Sequence, residues 1–453
     1  MLETIFALCQ EREPVLMMVW GLLENVLDEN FLNSLFARST IKQYTRDLLF
    51  SDIIAFMSMV VTGVHTSVHA AFKKSVREKR VSLTSHYNKL NGIELTTCRR
   101  LVVEVAARLK GVIEQLGATL PPLVTGYHTR IIDGNALGGT QHRIKVLRDT
   151  RSAPLPGKSL VVLDPDYKIA VDMLPCEDAW TNERALFSWL LSIVKKGELW
   201  IADRNFCTAE FLFGLVEQGA AFLIRQHAGL RWDAIDPLAL GGIGMAEHLV
   251  SIPWKNGKIT ARRIVIRLEK PTKNGDYELA ILTTIPYSVC DTAQIAERYR
   301  HRWKIEHLFH ILTITLRCEV KTFCYPKAAL FAFAVALVAA NIVSTVRAAI
   351  RAVHGREEEE SLSNFHLVQD VQNGYGLFER SISDLIEDKA HMPDGALIAF
   401  LLACAKHVRL TAYTKAPNKG YRTKQKRGTP NDQPHVSTAR LLAAAAQQRT
   451  VAI

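Results

Sequence analysis

Residues 198–206 read ELWIADRNF. A short apolar run, Leu199 to Ala202, stops at Asp203. That length predicts a buried strand rather than a helix, with an aspartate at its end. Working back along the chain, Tyr127 to Ile132 is also strand-like and runs into Asp133-Gly134-Asn135. Between them, Ser159–Leu163 and Tyr167–Leu174 flank Asp164-Pro165-Asp166, a hairpin-turn sequence. Thr181 is placed to cap a helix running to Lys196, ended by Gly197. After Asp203 a helix runs to Gln218-Gly219, and Ala220–Arg225 is a further strand. The order is strand, strand, strand, helix, strand, helix, strand, which predicts an α/β mixed sheet.

The flanks differ. Residues 1–120 carry apolar residues at helical spacing and close at Pro121-Pro122. Residues 228–288 alternate in runs such as Arg262–Leu268 and Glu278–Thr284, separated by Asn256-Gly257 and Asn274-Gly275. This reads as a β-rich insertion with hairpins. From Asp291 the chain is mainly helical to about Arg409. The division drawn is a helical N-terminal region (1–120), a core (121–320) holding the insertion (228–288), a C-terminal helical region (321–412) and a basic flexible tail (413–453).

Composition excludes fibrous and disordered classes: the 453 residues are 48% hydrophobic. Lys and Arg number 56 against 45 Asp and Glu, a net charge of +11 that favours a polyanionic partner. Eight of those eleven charges come from residues 395–431, which hold no acid. The eight cysteines form no CxxC pair, so buried thiols in a reducing cytoplasm are expected, and Glu3 argues against a secretory signal. Ala328–Ala340 is uninterrupted apolar but soon meets Asn341, Ser344 and Arg347. It is read as a buried helix, with no membrane partner.

Three acids are placed to do chemistry: Asp133, Asp203 and Glu306, the last in ERYRHRWKIEHLFH. Each has a plain alternative. Asp133-Gly134 suits a hairpin turn, Asp203 a helix cap, and Glu306 an ion pair with Arg302 or Lys304. Taken together, two strand-end aspartates and a helical glutamate can converge at one sheet edge. Such a cluster repels itself unless it holds divalent cations, and two magnesium ions there would support phosphodiester cleavage. On a continuous helix Tyr299, Arg302, Glu306, His310, Thr313 and Arg317 form one polar face. Arginine and a tyrosine hydroxyl suit phosphate, though a solvated face laced with ion pairs reads equally well.

IIDGN, IADRNF and YRHRWKIE together closely resemble the motifs of bacterial insertion-sequence transposases with an RNase-H-like core. The likeness is to the class with a Y-x2-R-x3-E-x6-K signature and a β-rich insertion, the insertion-sequence-four type. It covers about residues 125–320. The resemblance implies an RNase-H-like mixed sheet and a catalytic, metal-binding triad of Asp133, Asp203 and Glu306 using two Mg2+ or Mn2+ ions. It also implies DNA contacts by Tyr299 and Arg302, cleavage at transposon ends, strand transfer into target DNA, and a homodimeric synapse on double-stranded DNA. The signature departs at Thr313, where a lysine is expected; His310 and Arg317 are candidates to replace it.

Other candidates carry weaker readings. Arg204 and Arg225 are taken as possible phosphate contacts, with surface ion pairs as the alternative. Trp303 is assigned to core packing. Glu306-His307-x-x-His310 has the wrong order for a zinc protease. Lys73, Lys74, Arg77, Lys79 and Arg80, with Arg99 and Arg100, mark either DNA-end binding or a solubilising helix. Glu357–Glu360 is read as a solvated loop or helix start. Rival functions are a non-transposing nuclease of the same core and an inactive DNA-binding relic.

Overall fold

The computed structural model describes residues 2–43, 48–74, 81–242, 244–271, 275–381, 392–393, 395–415 and 435–451. Its centre is a mixed sheet. The strands are β1 (His128–Ala136), β2 (Pro154–Leu155), β3 (Lys158–Asp164), β4 (Ile169–Cys176), β5 (Glu198–Ala202) and β6 (Ala221–Arg225). The insertion adds β7 (Asp233–Ala234), β8 (Ala239–Gly242), β9 (Met245–Trp254), β10 (Gly257–Arg267) and β11 (Glu278–Thr283). Among the described residues ten strands form one sheet in the order β4-β3-β1-β5-β6-β11-β10-β9-β7, with β8 also on β9.

The first five strands of that order carry the RNase-H-like pattern. β3 and β4 make the expected hairpin, and β1 pairs antiparallel with β3. On its other edge β1 pairs parallel with β5, and β5 pairs parallel with β6. All five residues of β5 are buried, as a central parallel strand covered on both faces requires. The insertion is no separate body: β11 joins β6 antiparallel and extends the same sheet. Its β9–β10 hairpin turns at Lys255-Asn256. Asn274, named for the second hairpin, lies outside the described residues.

Helices cover both faces. One carries α9 (Phe187–Leu191) and α10 (Ala209–Glu217), where Phe187, Phe206 and Phe211 pack with ring centroids 4.8–5.9 Å apart. The helix expected from Thr181 to Lys196 is shorter. Asn182, not Thr181, caps a 3-10 turn at Glu183–Leu186 that leads into α9.

The opposite face carries α7 (Leu95–Gln115) and α13 (Pro326–His354). α13 is long and apolar enough to cross a membrane, yet 83% of its apolar stretch is buried inside the fold. Asn341 docks it onto β4: its side chain accepts from Ala170 N–H and donates to Ala170 C=O, both at 2.8 Å. N-terminal helices such as α2 (Pro14–Val26) and α4 (Phe50–Val61) pack around α13 together with the C-terminal helix Ala396–Lys406. The two helical regions therefore share one core.

Two readings of charge change here. Arg99 makes a two-pronged ion pair with Asp172 at 2.9 and 2.8 Å and so fastens α7 to β4 instead of facing a ligand. Lys73 and Lys74 are exposed, while Arg77, Lys79 and Arg80 lie outside the described residues. Residues 435–451, counted with the tail, form β12 (Val436–Ser437), which pairs with β2, and a helix over Thr438–Val451. Ser437 and Arg440 hold Asp178 at 2.7 and 2.8 Å.

Candidate functional site

Asp133 stands on β1, and Asp203 directly follows β5, its parallel neighbour. The last pair in that register is Ile131 with Ile201. Each aspartate lies two residues further on, so strand alternation returns both side chains to the face of Ile131 and Ile201. Adjacent strands run about 4.8 Å apart, which makes the carboxylates close neighbours. This point is also where β1 turns from an antiparallel partner to a parallel one, a place where open α/β sheets form crevices.

The electrostatics follow from that placement. Burial pushes the Asp133 carboxyl up to about 7, and the charge of Asp203 adds to it. The Gly134 N–H, donating at 2.8 Å, and the Arg302 guanidinium work in the opposite direction without cancelling it. The turn reading of Asp133-Gly134 is overturned: β1 continues to Ala136, and Asp133 pairs with Val161. The cap reading of Asp203 holds, since its Oδ1 accepts from Asn205 N–H at 2.8 Å and starts the one-turn helix Arg204–Phe206.

Glu306 arrives on a broken helix. Asp291 and Gln294 form the expected capping box at the start of α11 (Thr292–Arg300). The chain then tightens at His301-Arg302, where Arg302 N–H bonds Tyr299 C=O and Ile305 N–H bonds Arg302 C=O, each spanning three residues. α12 (Trp303–His310) resumes and packs on β1. From this corner Arg302 reaches two acids. Its Nη1 donates to Asp133 Oδ2 at 3.3 Å and its Nη2 to Glu306 Oε1 at 2.6 Å. Burial opposes the Arg302 charge, but Tyr299, Glu306 and Asp133 outweigh it and hold the group above its ordinary value. Tyr299 is buried beside this arginine and accepts a hydrogen bond from it. Burial, with Asp203 nearby, pushes its phenol up to about 12.

The predicted polar face does not survive as one surface. A π-helical segment, Ile311–Thr315, follows α12. Thr313 lies within it, half-buried, and its hydroxyl donates to Phe309 C=O at 2.9 Å. Arg317 follows with φ +44°, and its guanidinium lies against Gly63 of the N-terminal region. His310 is exposed at the end of α12. Arg225 borders Tyr299 but is paired with Asp276 at 3.0 Å. Arg204 opens the turn after Asp203, partly buried. Trp303, assigned to the core, is instead 62% exposed, with Arg302 stacked 5.1 Å from its ring centre.

Sequence reasoning does not find Glu183. It lies across β1 from Asp133, where a Cβ on Gly134 would collide with its carboxylate. Burial raises its pKa; Lys158 lowers it, and Asp203 adds to the rise. The one signal available is the glycine beside Asp133, which leaves space for a further acid.

Among the described residues, no three His, Cys, Asp or Glu side chains stand close enough to hold one ion together. The donor chemistry nonetheless fits a hard divalent cation: two neighbouring carboxylates, whose burial and mutual repulsion raise the Asp133 carboxyl and would be relieved by a bound cation. Arg302 supplies the positive charge that joins Glu306 to them.

Residues 129–342 match the family model for a transposase DDE domain, a span that includes Asp133, Asp203 and Glu306. The match supports a DDE transposase. No curated protein matches the chain. A similar solved structure is the cryo-EM structure of the piggyBac transposase synaptic complex with hairpin DNA, 14% identical, with 94% of this chain and 89% of that chain covered and a TM-score of 0.41.

Proposed function

We propose that this chain is a DNA transposase of the insertion-sequence-four type, cutting at transposon ends and joining the freed 3′ hydroxyl to target DNA. The observation that carries the reading is that Asp133 on β1 and Asp203 just after the parallel β5 each lie two residues past the last paired residues, Ile131 and Ile201, with Arg302 linking Asp133 to Glu306. Asp133, Asp203 and Glu306 would hold Mg2+ or Mn2+, two ions in all, which supply activation of water or of a 3′ hydroxyl and stabilise the leaving oxygen.

The chain's own residues do the rest. Asp133 and Asp203 offer anionic oxygens on a rigid sheet, so little reorganisation is needed when a cation binds. Arg302 is charged, two-pronged and adjacent to both acids. It orients Glu306 and neutralises part of the repulsion a phosphodiester meets here. Tyr299 fixes Arg302 from behind. His310, Arg204 and Arg225 flank the same edge as candidate backbone contacts, Arg317 stands off it, and double-stranded DNA in a homodimeric synapse in the cytoplasm is the proposed setting.

Purified protein is incubated with a plasmid carrying the element's own ends, Mg2+ and a target plasmid. Nicked ends together with joined products are expected. Nicks without joining would reduce the reading to a nuclease, and no Mg2+-dependent product would contradict it.

A further inference from the structure

A cavity of about 600 Å³ opens beyond Asp203, walled by four segments separate in sequence. Four of its lining side chains are basic or imidazole: Arg184, His227, Arg231 and Lys255. No carboxylate lines it, and Arg184, Arg231 and Lys255 form no salt bridge among the described residues. The Nδ1 of His227 accepts from Gly229 N–H at 3.0 Å, which leaves its other ring nitrogen as the donor. A further wall is the start of α10, with Thr208 as its cap and Ala209 as its first residue. Helix starts present unpaired N–H groups and favour negative charge. The insertion supplies Lys255 from the β9–β10 turn, where it takes a left-handed φ of +50°.

We propose that this cavity is a phosphate-binding subsite, seating a phosphate of the DNA strand that lies across Asp133 and Asp203. The proposal rests on the DNA-cleaving reading above and gives the β insertion a role in it. Cations from three directions, a helix start and the absence of any acid form an anion site. The wall begins at Cys207, four residues after Asp203, and includes Arg184, the neighbour of the Glu183 whose charge acts on Asp133, so a strand held at the carboxylates runs toward the cavity. The phosphate is either the 5′ end of that strand or an internal phosphodiester.

The test uses the full-length protein in EDTA, so that binding is read without cleavage. Anisotropy of a short labelled single strand, with and without a 5′ phosphate, is titrated with salt. Arg231→Ala/Lys255→Ala is compared with Lys195→Ala/Lys196→Ala, which removes the same charge at the other end of β5. The cavity variant is expected to bind about tenfold more weakly, with a salt slope reduced by about one, against a change under about twofold in the control. Inorganic pyrophosphate is expected to compete with the strand on the parent and the control alone. A larger loss for the phosphorylated strand assigns the terminal phosphate, and an equal loss assigns an internal one. Equal losses in the two double variants would overturn the subsite. Asp203→Asn separates the two readings: it is expected to lose nicking while keeping the difference between the double variants. Thermal melts identify any variant that has lost its fold.

Discussion

At Asp133 a single carboxyl is asked to be buried beside a second one. Its proton leaves the unfolded chain near pH 3.8 but stays in the folded protein to about 7. Between those values the native state binds more protons, so stability falls as pH rises. A tenfold change in proton affinity corresponds to about 1.4 kcal/mol, which puts the metal-free cost at pH 8 on the order of a few kcal/mol. Asp133→Asn removes that cost. In EDTA the variant is expected to melt several degrees above the parent at pH 8 and at the same temperature near pH 3; a gap that ignores pH would contradict the burial argument. The three acids are legible in the sequence because each interrupts an apolar run or helical face. Glu183 is not, since no periodicity marks a residue brought in by a 3-10 turn. The exposure of Trp303 is also hidden, because a tryptophan between two stripes defaults to the core until its helix's tilt is known.

Elements come next in scale. The α11–α12 break has no Pro or Gly to announce it, so periodicity alone runs one helix through Glu306. The break lets Arg302 point at both Asp133 and Glu306, and the π segment then removes Thr313 and Arg317 from the polar face. Strands are easier. Their apolar runs and turn residues place β3, β4, β5, β6 and the turn between β9 and β10 within a residue or two, though β10 starts five residues before the run at Arg262. The docking of α13 gives a sharp test. Asn341 satisfies both backbone groups of Ala170 in a fully buried setting. Asn341→Leu leaves them buried and unpaired, and is expected to cost about 2–4 kcal/mol in chemical denaturation. A loss below about 0.5 kcal/mol would mean that the contact does not hold the helix.

Across the whole molecule one core joins N-terminal, central and C-terminal segments around α13. Its polar fastening is Glu359, fully buried between Arg347, Arg351 and Lys168 at 2.5, 3.2 and 2.8 Å. A solvated reading of the acidic run Glu357–Glu360 holds for its neighbours but not for Glu359. Local sequence cannot show a partner set drawn from α13 and the β3–β4 turn. Glu359→Gln strands three cations in a buried site and is expected to cost about 3–5 kcal/mol, more than any exposed-pair variant such as Arg356→Ala. Comparable losses in the two would contradict this ranking. The shared core also explains why composition-based boundaries divide what packing unites. The fold class depends on strand order and can be read; the joining of the insertion to the central sheet depends on β11 meeting β6, a long-range pairing with no local mark.

The central claim is that Asp133, Asp203 and Glu306 act as one metal-dependent unit. The most direct measurement is Mg2+-dependent nicking of the element's ends by Asp133→Asn, Asp203→Asn and Glu306→Gln, alongside their DNA affinity in EDTA. The account predicts that each variant loses nicking by at least about a thousandfold, as coupled catalytic groups do, while binding DNA within a few-fold of the parent. Nicking that persists in any one of the three would contradict it.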